Sequence, residues 1–133
     1  WGFFVETDDK LILDVRDDSL AVSSFRKSDA VITQGAVHMF AGTYDGTAGA
    51  TAGNGMLLYE DPGSAVIAST AYNDGTHLGM EDLTTVVTIG ATSVPNQYFN
   101  GSLLCISLVS GVLTIHQLNA LRRLGNGFWG LSL

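Results

Sequence analysis

Gly35-Ala36-Val37-His38-Met39-Phe40-Ala41-Gly42-Thr43-Tyr44-Asp45-Gly46 is the stretch on which the reading of this chain turns. It is a largely apolar run that ends in an Asp-Gly dipeptide, the pattern of a buried strand closed by a tight turn. Strands on either side are expected to pair with it. Its end carries two readings. Asp45 is the first half of a turn, where an Asp side chain bonds the backbone two residues on, or it is a carboxylate ligand at a loop rim.

Upstream of this run, residues 3–6 and 10–15 flank Thr7-Asp8-Asp9, which predicts a hairpin. Leu11, Leu13 and Val15 alternate with Ile12, Asp14 and Arg16, giving one clearly apolar face. Residues 16–19 turn the chain into a run at 20–25, and 26–29 reads as a charged loop. A short extended piece at Val31 and Ile32 leads into the central strand.

Downstream, residues 47–54 hold only small side chains and read as an exposed, mobile loop. Residues 55–59 form the next strand, with 60–63 as a turn and 64–68 as its hairpin partner. Residues 69–82 read as irregular. Strands are expected at 84–89 and at the long apolar run 102–109. One short helix is expected over 114–124, with Thr114 as its N-cap and Gly125 just past its end. The tail 125–133 is read as a final strand.

Length and composition bound the function. A chain of 133 residues fits one domain able to bury its own core. Sixteen glycines, two prolines and only 14% charged residues describe an all-β chain whose faces carry Thr, Ser, Asn and Gly. Six basic residues against thirteen acidic ones give a net charge of −7, which argues against a nucleic-acid partner. Arg122-Arg123 reads as a helix C-terminal charge pair. The single cysteine, Cys105, has no internal disulfide partner and sits in an apolar run, where it reads as a small buried hydrophobe. No run of about 20 apolar residues predicts a membrane span. The opening Trp1-Gly2-Phe3-Phe4-Val5 looks like mid-strand, which suggests a piece of a longer polypeptide.

Taken in order, these pieces resemble a laminin-G-like domain of the concanavalin A-like lectin and glucanase superfamily. The family's central strand reads Gly-x-Trp-His-x-Val-Ala-Gly-Thr-Tyr-Asp-Gly, which residues 35–46 follow closely. Leu57-Leu58-Tyr59-Glu60-Asp61-Pro62-Gly63 resembles the family's Leu-x-Leu-Tyr-x-Asp/Asn-Gly hairpin. Val87-Thr88-Ile89-Gly90 and Phe99-Asn100-Gly101-Ser102-Leu103 resemble two further segments, and Leu113-Thr114 stands where the family places a cap and short helix. The matches span roughly residues 35–124. Three departures stand out. Val37 replaces the usual Trp, so Phe40, Trp1 or Trp129 must fill the space beneath the central strand. Leu104-Cys105 replaces a frequent Asp-Glu pair. About 34 residues precede the central motif, fewer than the family's first strands need. Either the fold is trimmed or those strands lie in residues absent from this chain, and the exposed edge left in the second case invites pairing with a neighbouring chain.

The resemblance implies a two-sheet antiparallel sandwich with jelly-roll topology and one short C-terminal helix, the whole of 1–133 forming one domain. It implies a non-enzymatic recognition or adhesion module in an extracellular or virion-surface protein, such as a phage fibre, tail or decoration protein. The expected partners are a glycan or surface protein and neighbouring subunits, with homo-oligomers among them. A purely structural assembly domain is the alternative, and a glycan-cleaving enzyme the minor one. Glycan hydrolysis needs two carboxylates across one bond. The family's glucanases carry Glu-x-Asp-x-x-Glu, and no such strand occurs here. Glu6-Thr7-Asp8-Asp9 sits in a turn, and Glu81-Asp82 points its acids to opposite faces.

Sugar recognition needs planar apolar faces beside hydrogen-bonding groups. Tyr72, Asn73, Asp74, Thr76 and His77 supply that mixture in one loop, and Tyr44, Tyr98 and Asn100 are expected at a similar rim. Related domains often bind Ca²⁺ at a loop rim, which takes six to eight oxygen ligands. Asp45, Asp61, Asn73 and Asp74 are the candidate ligands, although Asp45-Gly46 and Asp74-Gly75 are also ordinary turn dipeptides. His38 reads as a strand histidine hydrogen-bonded to a neighbour, and His116 as a surface residue of the helix.

Overall fold

In the computed structural model the described residues are 1–62, 66–80, 87–91 and 99–130. The alternation of residues 11–16 becomes the centre of the molecule. Strands β1 (Gly2–Val5), β2 (Leu11–Asp17), β3 (Val22–Ser28) and β6 (Ser69–Tyr72) form one antiparallel sheet in the order β1-β2-β3-β6. Strands β4 (Phe40–Tyr44) and β5 (Met56–Glu60) form a second antiparallel sheet. Leu11, Leu13 and Val15 of β2 meet Met56 and Leu58 of β5, and these five are the buried cluster joining the two sheets. Phe3, Val5, Ile32, Phe40, Tyr44 and Ile67 close its margins.

The β1–β2 hairpin is borne out, with Val5 opposite Leu11 and Gly2 opposite Asp14. Its turn puts Asp9 at φ 59°, a left-handed position that Asp tolerates. Lys27 on β3 holds this turn from outside, with its ammonium 2.5 Å from Glu6 and 2.8 Å from Asp8. At the opposite end of β2, Asp17 accepts from the Ser19 hydroxyl at 2.7 Å and from the Leu20 N–H at 3.2 Å, turning the chain into β3.

Several expectations are corrected. Residues 26–28 are not a charged loop but the end of β3, because their backbones pair with both β2 and β6. Ser69–Tyr72, read as irregular, supplies that partner strand. The expected hairpin of 64–68 with β5 is reduced, among the described residues, to one bond from the Ile67 N–H to the Leu58 carbonyl. Residues 47–54 are an exposed loop only in part. Ala48, Ala50, Thr51 and Asn54 are exposed as expected, but Gly49–Gly55 winds into a 3₁₀ helix with Ala52 completely buried and Gly53 buried. Small side chains are what allow this approach: a Cβ on Gly53 would come within 2.9 Å of the Tyr72 carbonyl oxygen.

Helix α1 (Ile115–Trp129) begins as expected, with Thr114 and Gln117 forming a reciprocal capping box. It runs past Gly125 and stops at Gly130, which adopts φ 64°. A helical glycine costs about 1 kcal/mol, which does not by itself end a helix. The Trp129 ring lies over Gly125, about 3.6 Å from where a Cβ would sit, one turn away on the same face. Trp129 is therefore helical, and no final strand forms before it.

Residues 102–109 form no strand, and every one of them is exposed, Cys105 included. A strand requires a neighbour to take its N–H and C=O groups, and among the described residues none pairs with this run. Residues 87–89 are likewise unpaired, while 84–86 lie outside the described residues. Val37 is exposed and precedes β4. Of the three aromatics proposed to compensate for a missing Trp, Phe40 packs against the core, whereas Trp1 and Trp129 are exposed.

Candidate functional site

The outward face of the first sheet carries an open depression. Alternation along β2 sends Ile12 and Asp14 to this face, opposite Leu11, Leu13 and Val15. The same alternation sends Ser23, Phe25 and Lys27 out from β3, joined by Phe4 from β1 and Tyr72 from β6. With Glu6 from the β1–β2 turn they line an open groove of about 360 Å³, within the size range of small-molecule sites. Tyr72 stacks on Phe25 with ring centroids 4.5 Å apart and planes 16° from parallel. Phe4 and Tyr72 keep large parts of their rings exposed.

The polar groups of the groove are unequal. Lys27 is engaged by Glu6 and Asp8, and their hydrogen bonds hold its ammonium well above the usual lysine range. The same contact holds Asp8 below the usual carboxylate range. Asp14 is half-buried, and one carboxylate oxygen, Oδ1, is shielded from solvent with no hydrogen-bond partner. Burial pushes its carboxyl up, against the opposing pull of the N-terminal ammonium, Arg16 and Ser23. The groove therefore offers two aromatic surfaces beside a half-buried carboxyl and a hydroxyl, while its one cation is already neutralised.

Of the loop expected to bind a ligand, only Tyr72 reaches this groove. Asn73 accepts from the Gly53 N–H at 2.6 Å and so anchors the 3₁₀ segment. The Asp74 backbone N–H donates to the Ser24 hydroxyl at 3.0 Å. The Asp74 carboxylate accepts from the Thr76 hydroxyl and N–H at 2.7 and 3.1 Å, which holds its carboxyl below the ordinary value. His77 is completely buried, with neither ring nitrogen partnered, and its carbonyl receives the Gly49 N–H at 2.5 Å. Asn100 lies exposed in the unpaired C-terminal stretch, and Tyr98 lies outside the described residues.

The four candidate metal ligands do not converge. Asp45 closes its own turn, with Oδ1 accepting from the Thr47 N–H at 2.8 Å, and Thr47 holds its carboxyl low. Asp61 lies beyond the other end of the β4–β5 ladder, which runs from Phe40↔Glu60 to Tyr44↔Met56. Four residue steps of strand separate those ends, about 13 Å. Asp61 instead joins His38, as the expected hydrogen bond from a neighbour to that histidine: Nδ1 lies 2.6 Å from Asp61 Oδ2 and 3.5 Å from Glu60 Oε1.

Sequence reasoning missed Phe4, Asp14, Ser23, Phe25 and Lys27 as one surface. The signal is present in the β2 alternation, which places Ile12 and Asp14 on the face opposite Leu11, Leu13 and Val15. Among the described residues no helix is long and apolar enough to cross a membrane. No protein-family model, no curated protein and no solved structure matches the chain.

Proposed function

We propose that this chain is a non-enzymatic recognition module, a laminin-G-like jelly roll in type, that binds a neutral glycan on the outward face of its four-stranded sheet. The observation that carries this reading is the grouping of the exposed Phe4 and Tyr72 rings with the Asp14 carboxyl and the Ser23 hydroxyl in one groove. Pyranose rings present CH faces that pack on aromatic planes and hydroxyls that donate to carboxylates. With Lys27 already neutralised by Glu6 and Asp8, the groove has no free cation to select an acidic sugar. Such a module belongs to an extracellular or virion-surface protein of the fibre, tail or decoration kind.

A glycan array followed by titration of the best neutral oligosaccharide tests it. Tyr72→Ala is expected to weaken binding by at least about tenfold, equivalent to about 1.4 kcal/mol, with the far-ultraviolet circular dichroism unchanged. Absence of any neutral-glycan hit, or equal affinity in the variant, would sink the reading.

The exposed apolar stretch from Phe99 to Val112 favours a second reading, a structural assembly domain that packs against neighbouring copies. Light scattering on the isolated chain separates the two. A monomer that retains a glycan supports recognition, and concentration-dependent oligomers that bind none support assembly.

A further inference from the structure

The geometry points to a divalent transition-metal site, of the kind filled by Zn²⁺, formed by His38, Glu60 and Asp61 where β5 ends. It is separate from the groove and does not depend on the glycan reading. One atom from each side chain lies within 4.8 Å of the others. His38 Nδ1 stands 2.6 Å from Asp61 Oδ2 and 3.5 Å from Glu60 Oε1. Ligands at 2.0–2.2 Å around a tetrahedral ion are spaced by about 3.3 Å, so small side-chain rotations accommodate the ion. All three side chains are largely but incompletely shielded, at 13%, 21% and 28% exposure.

Asp61 is held from outside the trio, as metal ligands commonly are; Glu60 Oε1 accepts from the Thr33 N–H at 3.4 Å, and His38 Nε2 is buried without a partner. Asp61 Oδ1 accepts from the Met39 N–H at 2.8 Å, leaving Oδ2 to face His38. Arg122 of α1 donates to the Asp61 carbonyl at 2.9 Å and not to the carboxylates. Asp61 itself sits at φ 44°, a left-handed position that a non-glycine residue holds only when its surroundings fix it. Glu60 also borders a pocket of about 230 Å³ beside Ile32 and Ile67.

Donor chemistry selects the ion. Ca²⁺ collects six to eight oxygens and Mg²⁺ keeps an octahedral oxygen shell, whereas one imidazole and two carboxylates suit a borderline ion with an open fourth position. Two carboxylates beside one imidazole also supply the charge that neutralises it. Bound there, the ion ties the segment before β4 to the end of β5, and through Asp61 to α1.

Zn²⁺ titration of the whole chain by calorimetry tests the site, with Co²⁺ as a spectroscopic probe. One Zn²⁺ per chain is expected, with a raised melting temperature reversed by EDTA and a visible Co²⁺ band. Glu60→Gln is expected to raise Kd by at least about tenfold and His38→Gln to abolish the Co²⁺ band, while His116→Gln and Tyr72→Ala leave both unchanged. If His38→Gln fails to fold, Glu60→Gln decides alone. Unsaturable Zn²⁺ uptake, loss of binding in His116→Gln, unchanged affinity in Glu60→Gln, or stabilisation by Ca²⁺ and not Zn²⁺ would each overturn the proposal.

Discussion

Leu11, Leu13 and Val15 are almost fully shielded, whereas Leu103, Leu104, Ile106 and Leu108 are each about half exposed or more, the last at 61%. The second run, which has no charged residue, is at least as apolar as the first. The first lies in β2, between β1 and β3, and its alternates Ile12 and Asp14 face the groove. The second has no alternation and, among the described residues, no strand to accept its backbone. Hydrophobicity thus gave both runs the same tendency, and hydrogen-bonding partners decided which one was buried.

The comparison breaks first at the core. Leu58→Ala should cost about 2–5 kcal/mol in urea unfolding, because Leu58 is completely buried against β2. Leu108→Ala should cost less than about 0.5 kcal/mol. A large loss at Leu108 would mean that the C-terminal run is covered in solution, and the distinction between the two regions would fall.

Glycines sharpen the same contrast. Gly53→Ala drives a Cβ to 2.9 Å from the Tyr72 carbonyl and 3.0 Å from the Phe25 carbonyl, both backbone atoms. Overpacking there should cost about 1–3 kcal/mol and weaken the groove by shifting Tyr72. Gly127→Ala, with nothing near its added Cβ, should stabilise α1 by about 0.5–1 kcal/mol. Thermal melts of both variants check the opposite signs.

The smallest effect concerns Asp14. Burial raises its folded pKa, so its contribution to stability is fully present below the unfolded value of about 3.9 and is lost as pH rises through the folded value. Asp14→Asn should therefore melt higher than the parent at pH 7, and the gain should vanish below about pH 4. Asp17, Asp45 and Asp74 have lowered values, so their contribution runs the other way, present at neutral pH and lost on acidification. A gain in Asp14→Asn that persists at pH 3 would show that repacking, not charge burial, is responsible.

Only part of the candidate groove was legible, in the alternation of residues 11–16 and in Tyr72. Lys27 was not, because residues 26–29 look like a charged loop until β6 is known to pair with them, and Ser23 and Phe25 lie in the expected run 20–25, whose sequence has no period that assigns them a face. The turn at Thr7-Asp8-Asp9 and the Thr114 cap were legible because their chemistry is local: each is satisfied within three or four residues. His38 was read as bonded to a neighbour, but the neighbour's identity depended on where β5 ends.

By itself the sequence determined the first hairpin, the buried face of β2, a strand at 55–59 that the structure places at 56–60, and the start of α1. Those follow from periodicity and short-range hydrogen bonding, which any folded context preserves. Only the tertiary structure decided that residues 49–55 coil inward, that Ser69–Tyr72 completes the four-stranded sheet, that His77 is buried, and that Asp61 meets His38 and not Asp45. Each of these rests on a backbone or carboxylate finding its partner 20 or more residues away, and no local pattern encodes that pairing.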